Sequence, residues 1–209
     1  MMEKERRISE ASRTGGAFRA GEARPMRKSA DERRAELLFH ALESYIQLGI
    51  GRAGHGDVAR RAGVSTGTVF NYFPTRDALT EAVLGHVADT VMEFYDRIPA
   101  GTPAEIVAAF RDALLESRRT RSREVELLLS WAHSFQPEVR PAYIDLQDRM
   151  DARVVALTGL SLTDARIVNA IGYAYSRMVV DGGDSHLANS LTDRLVQMLS
   201  VLTEGAPDG

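Results

Sequence analysis

Between Gly54 and Asp77 the chain reads GHGDVARRAGVSTGTVFNYFPTRD, and that order of residues restricts the local fold sharply. It predicts a short helix, a glycine turn, a second short helix, then Phe-Pro and a fresh helix start. Val58, Ala59, Ala62, Val64, Val69 and Phe70 fall where two crossing helices bury them against each other, so Val69 and Phe70 read as core rather than as wedges between bases. Gly63 supplies the turn, because a positive φ costs glycine little. Ser65 caps the second helix, its hydroxyl accepting from first-turn N–H groups. Thr66, Gly67, Thr68, Asn71 and Tyr72 then face outward, small and rich in hydrogen-bonding groups. A helix entering a DNA major groove needs such a surface, since base edges and phosphates must be approached closely and met with donors and acceptors.

At 209 residues the chain has room for one domain or two small helical ones. It contains no cysteine, which excludes disulfides and thiolate chemistry and agrees with a cytoplasmic location. No apolar run approaches the roughly 20 residues of a membrane span, and the polar, basic N-terminus lacks a secretion signal's apolar centre. A net charge of −3 is unusual for a DNA binder until it is divided along the chain. Residues 1–30 hold eight Lys and Arg against four Glu; residues 31–81 hold six Arg against seven acids; the remainder holds 12 against 18. The positive end adjoins the helix pair and the acidic end is repelled by DNA, which orients the molecule.

Residues 1–28 are expected to be a disordered basic arm, 29–80 a helix-turn-helix DNA-binding domain, and 81–209 a helical regulatory and dimerisation domain. Ser29 and Glu32 form a capping-box pattern. The helix they start buries Leu37, Leu38, Ala41, Tyr45 and Ile46 and stops at Gly49. Thr75 caps a longer helix with Leu79, Val83, Val87, Val91 and Phe94 on one face. After Pro99 helical periodicity recurs over about 103–118, 123–135, 138–158, 163–181 and 187–203. Without strand alternation or an internal repeat, the fold class is all-α. Gly49-Ile-Gly51-Arg-Ala-Gly54 is literally G-x-G-x-x-G, but that fingerprint requires a preceding strand, and residues 35–48 are helix-periodic. Dinucleotide binding is excluded on that ground.

The helix–Gly–Val-Ser–helix–Tyr-Phe-Pro order resembles the TetR family of transcriptional regulators, which are all-helical homodimers. Within it, Gly49-Ile-Gly51-Arg52, Gly54-His55, Asp57 and the run Thr68-Val69-Phe70-Asn71-Tyr72-Phe73-Pro74-Thr75-Arg76 are similar to the quorum-sensing master regulators of vibrios (LuxR/HapR type). The likeness is strong over residues 33–87 and thins to Trp131, Glu138-Val139 and Pro141 beyond. It implies that Asn71 meets a base edge or phosphate and that Tyr72 gives its hydroxyl to a phosphate. Thr66 and Thr68 are candidates at the helix N-terminus, where free N–H groups attract phosphate, and Gly67 permits close approach. Arg52, His55 and Arg76 read either as phosphate-facing or as solvated surface. The subgroup also implies arginines before the first helix that reach into the minor groove. Arg27 matches one such position, and Arg24 stands beside the other, where this chain has Pro25. For Arg24 a purely electrostatic tail is an equal alternative.

The family likeness implies a four-helix dimer bundle from the last two helices, offering Ile167, Ile171, Ala174, Tyr175 and Met178, then Leu191, Leu195, Met198, Leu199 and Leu202. Internal core is the alternative for part of that set. It also implies a cavity for a small apolar organic ligand, lined by Met92, Tyr95, Phe110, Leu114, Trp131, Tyr143, Gln147 and Met150, for which plain core is again the alternative. Five scattered histidines show no metal-ligand spacing, and no nucleophile motif or cofactor signature appears. Three readings follow: a global regulator that represses and activates, under density control; a local repressor released by a small organic compound; and a ligand-binding helical protein whose helix pair is vestigial. The Asn71-Tyr72 surface and the basic arm count against the third.

Overall fold

The computed structural model describes residues 29–134, 136–182 and 185–204. The arm with Arg24 and Arg27 lies outside the described residues, as do the side chains of Leu199 and Leu202. Among the described residues all regular structure is helical: α1 (Ala30–Leu48), α2 (His55–Ala62), α3 (Thr66–Tyr72), α4 (Arg76–Asp96), α5 (Pro103–Thr120), α6 (Ser122–Ala132), α7 (Arg140–Thr158), α8 (Leu162–Val180) and α9 (Ser185–Glu204).

Local chemistry sets the ends of the short helices. Gly49 ends α1 at φ +87°, and its carbonyl accepts from the N–H groups of Arg52 and Ala53 at 3.1 Å each. At the start of α2 the Asp57 carboxylate accepts from the Gly54 N–H at 3.1 Å, doing for a residue without a side chain what a Ser or Thr cap does elsewhere. Gly63 terminates α2 at φ +66°, ψ +32°, and the Val64 N–H closes onto Ala59 O at 3.0 Å. Ser65 Oγ accepts from Thr68 N at 3.1 Å, and Thr75 Oγ1 from Ala78 N at 3.0 Å, so both expected caps are formed. At Gly51 a Cβ would collide with the Gln136 amide. A side chain there would have to push the flexible end of Gln136 aside.

Two hydrophobic cores share α4. The first gathers Leu37, Ala41, Leu42 and Tyr45 of α1, Val58 and Ala59 of α2, Val69 and Phe73 around α3, and Leu79, Val83, Leu84 and Val87 of α4. It runs on without a break into Leu127 and Trp131 of α6 and Tyr143 and Leu146 of α7. The boundary expected after residue 80 therefore falls inside a helix whose buried side chains continue across it. Tyr45 Oη and Thr80 Oγ1 lie 2.7 Å apart and join α1 to α4. The largely buried Glu43 carboxylate of α1 receives Arg61 of α2 at 3.6 Å and also Arg123 of α6. The second core packs Tyr95 and Ile98 with Ile106, Val107 and Phe110 of α5, Val154 of α7, Ala165 and Val168 of α8 and Leu195 of α9.

That second core divides the apolar residues expected at a dimer face. Tyr175 and Leu195 are buried within the protomer, so they are internal core and not interface, and Ile171 packs partly against the same core. Ile167, Leu187, Met198 and Val201 are instead large apolar side chains left exposed, and Ala174 beside them is exposed too. Met178 and Leu191 are half-buried.

Gly63→Ala should lower unfolding stability by about 1 kcal/mol, because alanine at positive φ is strained. Urea denaturation of the two proteins measures the difference, and an unchanged midpoint would remove the left-handed turn as a requirement.

Candidate nucleic-acid interface and cavity

Helix α3 is seven residues long and enters the core through Val69 and Phe73. The opposite side is exposed at Thr66, Gly67 and Asn71, with Thr68 and Tyr72 half-buried at its margin. Neither Thr66 nor Asn71 bonds through its side chain to a described residue, so both are free to meet another molecule. Ser65 and Thr68 are partly committed, since their hydroxyls lie 2.9 Å apart. Tyr72 is half-buried and packs against the core.

Two side chains reverse the expectation. Phe70 is not core: it is 46% exposed. Phe73, one turn on, fills the apolar site. His55 is not a solvent-facing cation: it is 7% exposed, its Nε2 lies 2.7 Å from the Phe73 carbonyl, and Phe70 stacks on its ring with centroids 3.9 Å apart at 8°. A ring held between a backbone carbonyl and a phenyl face positions α3 and is turned away from any phosphate.

The cations differ in their freedom. Arg52 is exposed and makes no side-chain bond to a described residue. The Arg76 guanidinium donates to the Gly51 carbonyl, so it braces the loop that carries Arg52. Arg34 of α1 was not foreseen. Its guanidinium lies 5.2 Å above the Phe73 ring, at the C-terminal end of α3, and it is exposed. The Arg33-Arg34 pair in the first turns of α1 was the only sequence signal for it.

Behind this surface, a cavity of about 350 Å³ opens between α4, α5, α6, α7 and α8. Tyr95, Phe110, Leu114, Tyr143, Gln147 and Met150 line it, as expected. Met92 and Trp131 do not: Met92 packs beside both cores, and Trp131 is fully buried, donating from Nε1 to Val139 O at 3.1 Å. One wall is polar, through a network that links α7 to α8 and α4. Asp151, 2% exposed, accepts from Arg166 Nε and from Asn169 Nδ2, each at 2.7 Å, and Tyr95 donates to Asn169 Oδ1 at 2.7 Å. Burial, with the Asp151 carboxylate nearby, holds the Tyr95 phenol far above the usual tyrosine value. The same hydrogen bonds and charge hold Arg166 more firmly protonated. At another side, Tyr173 Oη lies 2.8 Å from His133 Nδ1. Asp151 and Arg140 share the α7 face with Tyr143 and Gln147, so helical spacing alone would have found them; the Tyr173–His133 pair joins helices forty residues apart and leaves no local trace.

No single helix among the described residues is long and apolar enough to cross a membrane, and no group of three acidic, histidine or cysteine residues is placed to hold a metal.

His55→Ala should destabilise the protein by roughly 1–3 kcal/mol, through a buried carbonyl left without a donor and loss of packing under Phe70. Equilibrium unfolding measures it; stability equal to that of the parent, with DNA affinity alone reduced, would return His55 to the surface role.

Residues 37–83 match the family model described as "Bacterial regulatory proteins, tetR family". Over 120 residues the chain is 38% identical to the HTH-type transcriptional regulator LuxR of Vibrio harveyi, covering 56% of this chain and 58% of the relative. It is 27% identical over 129 residues to the HTH-type transcriptional regulator BetI of Escherichia coli, covering 59% of this chain and 65% of the relative. The chain thus spans less than two thirds of the length of these curated relatives. Among solved structures, a TetR-like transcriptional regulator from Rhodococcus superposes with a TM-score of 0.70, over 86% of this chain and 100% of that one, at 16% identity, a likeness of fold alone. The match to the amino-terminal domain of that family thus runs from α1 into α4, and the all-helical fold is shared with the solved regulator.

Proposed function

We propose that the protein is a sequence-specific DNA-binding transcriptional regulator that acts as a homodimer on a two-fold operator. The observation that carries this reading is α3: a helix anchored on one side by Val69 and Phe73, with Thr66, Gly67, Asn71 and Phe70 presented on the other. In this reading α3 lies in the major groove, Asn71 hydrogen-bonds a base edge, and Tyr72, Arg52 and Arg34 meet phosphates. Arg27 and Arg24 of the arm reach the adjacent minor groove. Phe70, clamped on the His55 ring, gives α3 an apolar plate suited to the C5 methyl of thymine. Ile167, Ala174, Leu187, Met198 and Val201 form the exposed face through which two copies set their α3 helices about one DNA turn apart.

Identity to LuxR supports the finer reading of a global regulator that represses some promoters and activates others, under density control. The cavity beside α4 favours a second: a local repressor released by a small organic ligand. A ligand acts in this way only through unequal affinity for two arrangements of the DNA-reading ends.

Selection from a random DNA pool near physiological salt tests the main reading. A two-fold-related motif is expected; salt-sensitive binding to all sequences without enrichment would sink it. On the selected site, Asn71→Ala should weaken binding by roughly 1–3 kcal/mol while leaving the dimer intact by sedimentation. Unchanged affinity would remove Asn71 from recognition. Replacing the operator's thymines by uracil one at a time should cost affinity at one step of each half-site for the parent and not for Phe70→Ala. Equal losses in both proteins would separate Phe70 from the methyl group.

A further inference from the structure

The polar groups around the cavity fall into two sets. Most are already satisfied within the protein. Both oxygens of Asp151 are taken, by Arg166 and Asn169. Glu124 faces His86 at 3.3 Å, Arg121 lies 4.0 Å from Glu93, and the Tyr173 hydroxyl is 2.8 Å from His133. On this wall Asp151 is already matched by Arg166, which leaves Glu124, beside His86, against Arg121 and Arg140.

The second set lies on α7. Tyr143 is 9% exposed, and its hydroxyl has no hydrogen-bond partner among the described residues. Gln147, one turn on, also makes no side-chain bond to a described residue, and both line the cavity. Arg140, one turn before, is the first residue of α7 and lines the same cavity. It has no carboxylate partner among the described residues, and its guanidinium stands 5.5 Å over the Tyr143 ring. An unpartnered hydroxyl on a cavity wall is available to a bound group. What the three offer together is donors: the guanidinium fork, a phenolic O–H and an amide NH₂. The uncompensated charge is positive, and the N-terminal end of α7 adds to it. Burial raises the Tyr143 phenol above its usual value, with Tyr173 contributing, so it stays protonated and able to donate. The remaining wall, from Val91, Phe94, Phe110, Leu128 and Met150, is apolar.

We infer that the cavity takes an organic acid with an apolar, aromatic-compatible body, its anionic head held by Arg140, Tyr143 and Gln147. This rests on the ligand-responsive reading of the same cavity. The volume of about 350 Å³ lies in the lower part of the range typical of small-molecule sites, about 300–1,000 Å³. A planar carboxylate matches the guanidinium fork, and the Tyr143 hydroxyl reaches the oxygen that Arg140 leaves open.

Calorimetric titration of the full chain with three probes that share one body separates the inference from the reading beneath it: phenylhexanoate, phenylhexanol and phenylhexylamine, each with its phenyl group at the far end. The acid should bind roughly tenfold or more tightly than the alcohol or the amine. Arg140→Gln should erase that preference with the alcohol still bound, and Tyr143→Phe should weaken the acid severalfold. Equal binding of all three, or tightest binding of the amine, would overturn the anion assignment and leave the cavity as a ligand site. No binding of any probe at millimolar concentration would overturn both. Tight binding of the acid without any change in operator affinity would keep the site and remove its regulatory role.

Discussion

A helix of seven residues does not hold itself together in water; nucleation costs more than so few backbone bonds return. Helix α3 exists because Val69 and Phe73 are seated in a core built by α1, α2 and α4. Everything proposed for its outer face inherits that seating. The His55 ring extends the support sideways, tied to the Phe73 carbonyl on one edge and covered by Phe70 on its face. The exposed residues are thus presented from a fixed platform, which limits the ordering cost of meeting DNA.

The core beneath α3 does not stop at α1, α2 and α3. It passes through Leu79, Val83 and Val87 into Leu127, Trp131 and Tyr143, and Tyr143 in turn forms part of the cavity wall. Helix α4 serves both ends: its first half packs under α3, and its second half supplies Val91, Phe94 and Tyr95 to the cavity. Cavity and interface are therefore joined through tightly packed side chains rather than through a loose linker. Such packing transmits displacements because cores have few stable arrangements and compress little.

Much of this was legible in the chain and some was not, for physical reasons. The caps at Ser65 and Thr75 and the turn at Gly63 are local chemistry, decided by residues within three or four positions, and sequence spacing reads them directly. The exchange of roles between Phe70 and Phe73 was not legible. Two turns of helix leave the phase of the apolar stripe undetermined, and the residue that decides it is His55, in another helix. Trp131 and Met92 were drawn to the cavity by their chemistry, which also suits plain core, and the Val139 carbonyl claims the indole. Tyr175 and Leu195 failed as interface residues for a related reason. Helices α8 and α9 are apolar on more than one side, and which side faces inward depends on where α5 lies. The Asp151–Arg166–Asn169 network spans two helices and is invisible to any periodicity within one.

The clasp at Glu43 has a consequence for how ionic strength acts on this protein. One carboxylate holds an arginine from α2 and another from α6, so part of the stiffness between the two ends of the molecule is itself electrostatic. The Glu43 side chain is only 18% exposed, so salt screens this clasp much less than it screens charges at the open surface. Moderate salt therefore leaves the tie between α1, α2 and α6 in place.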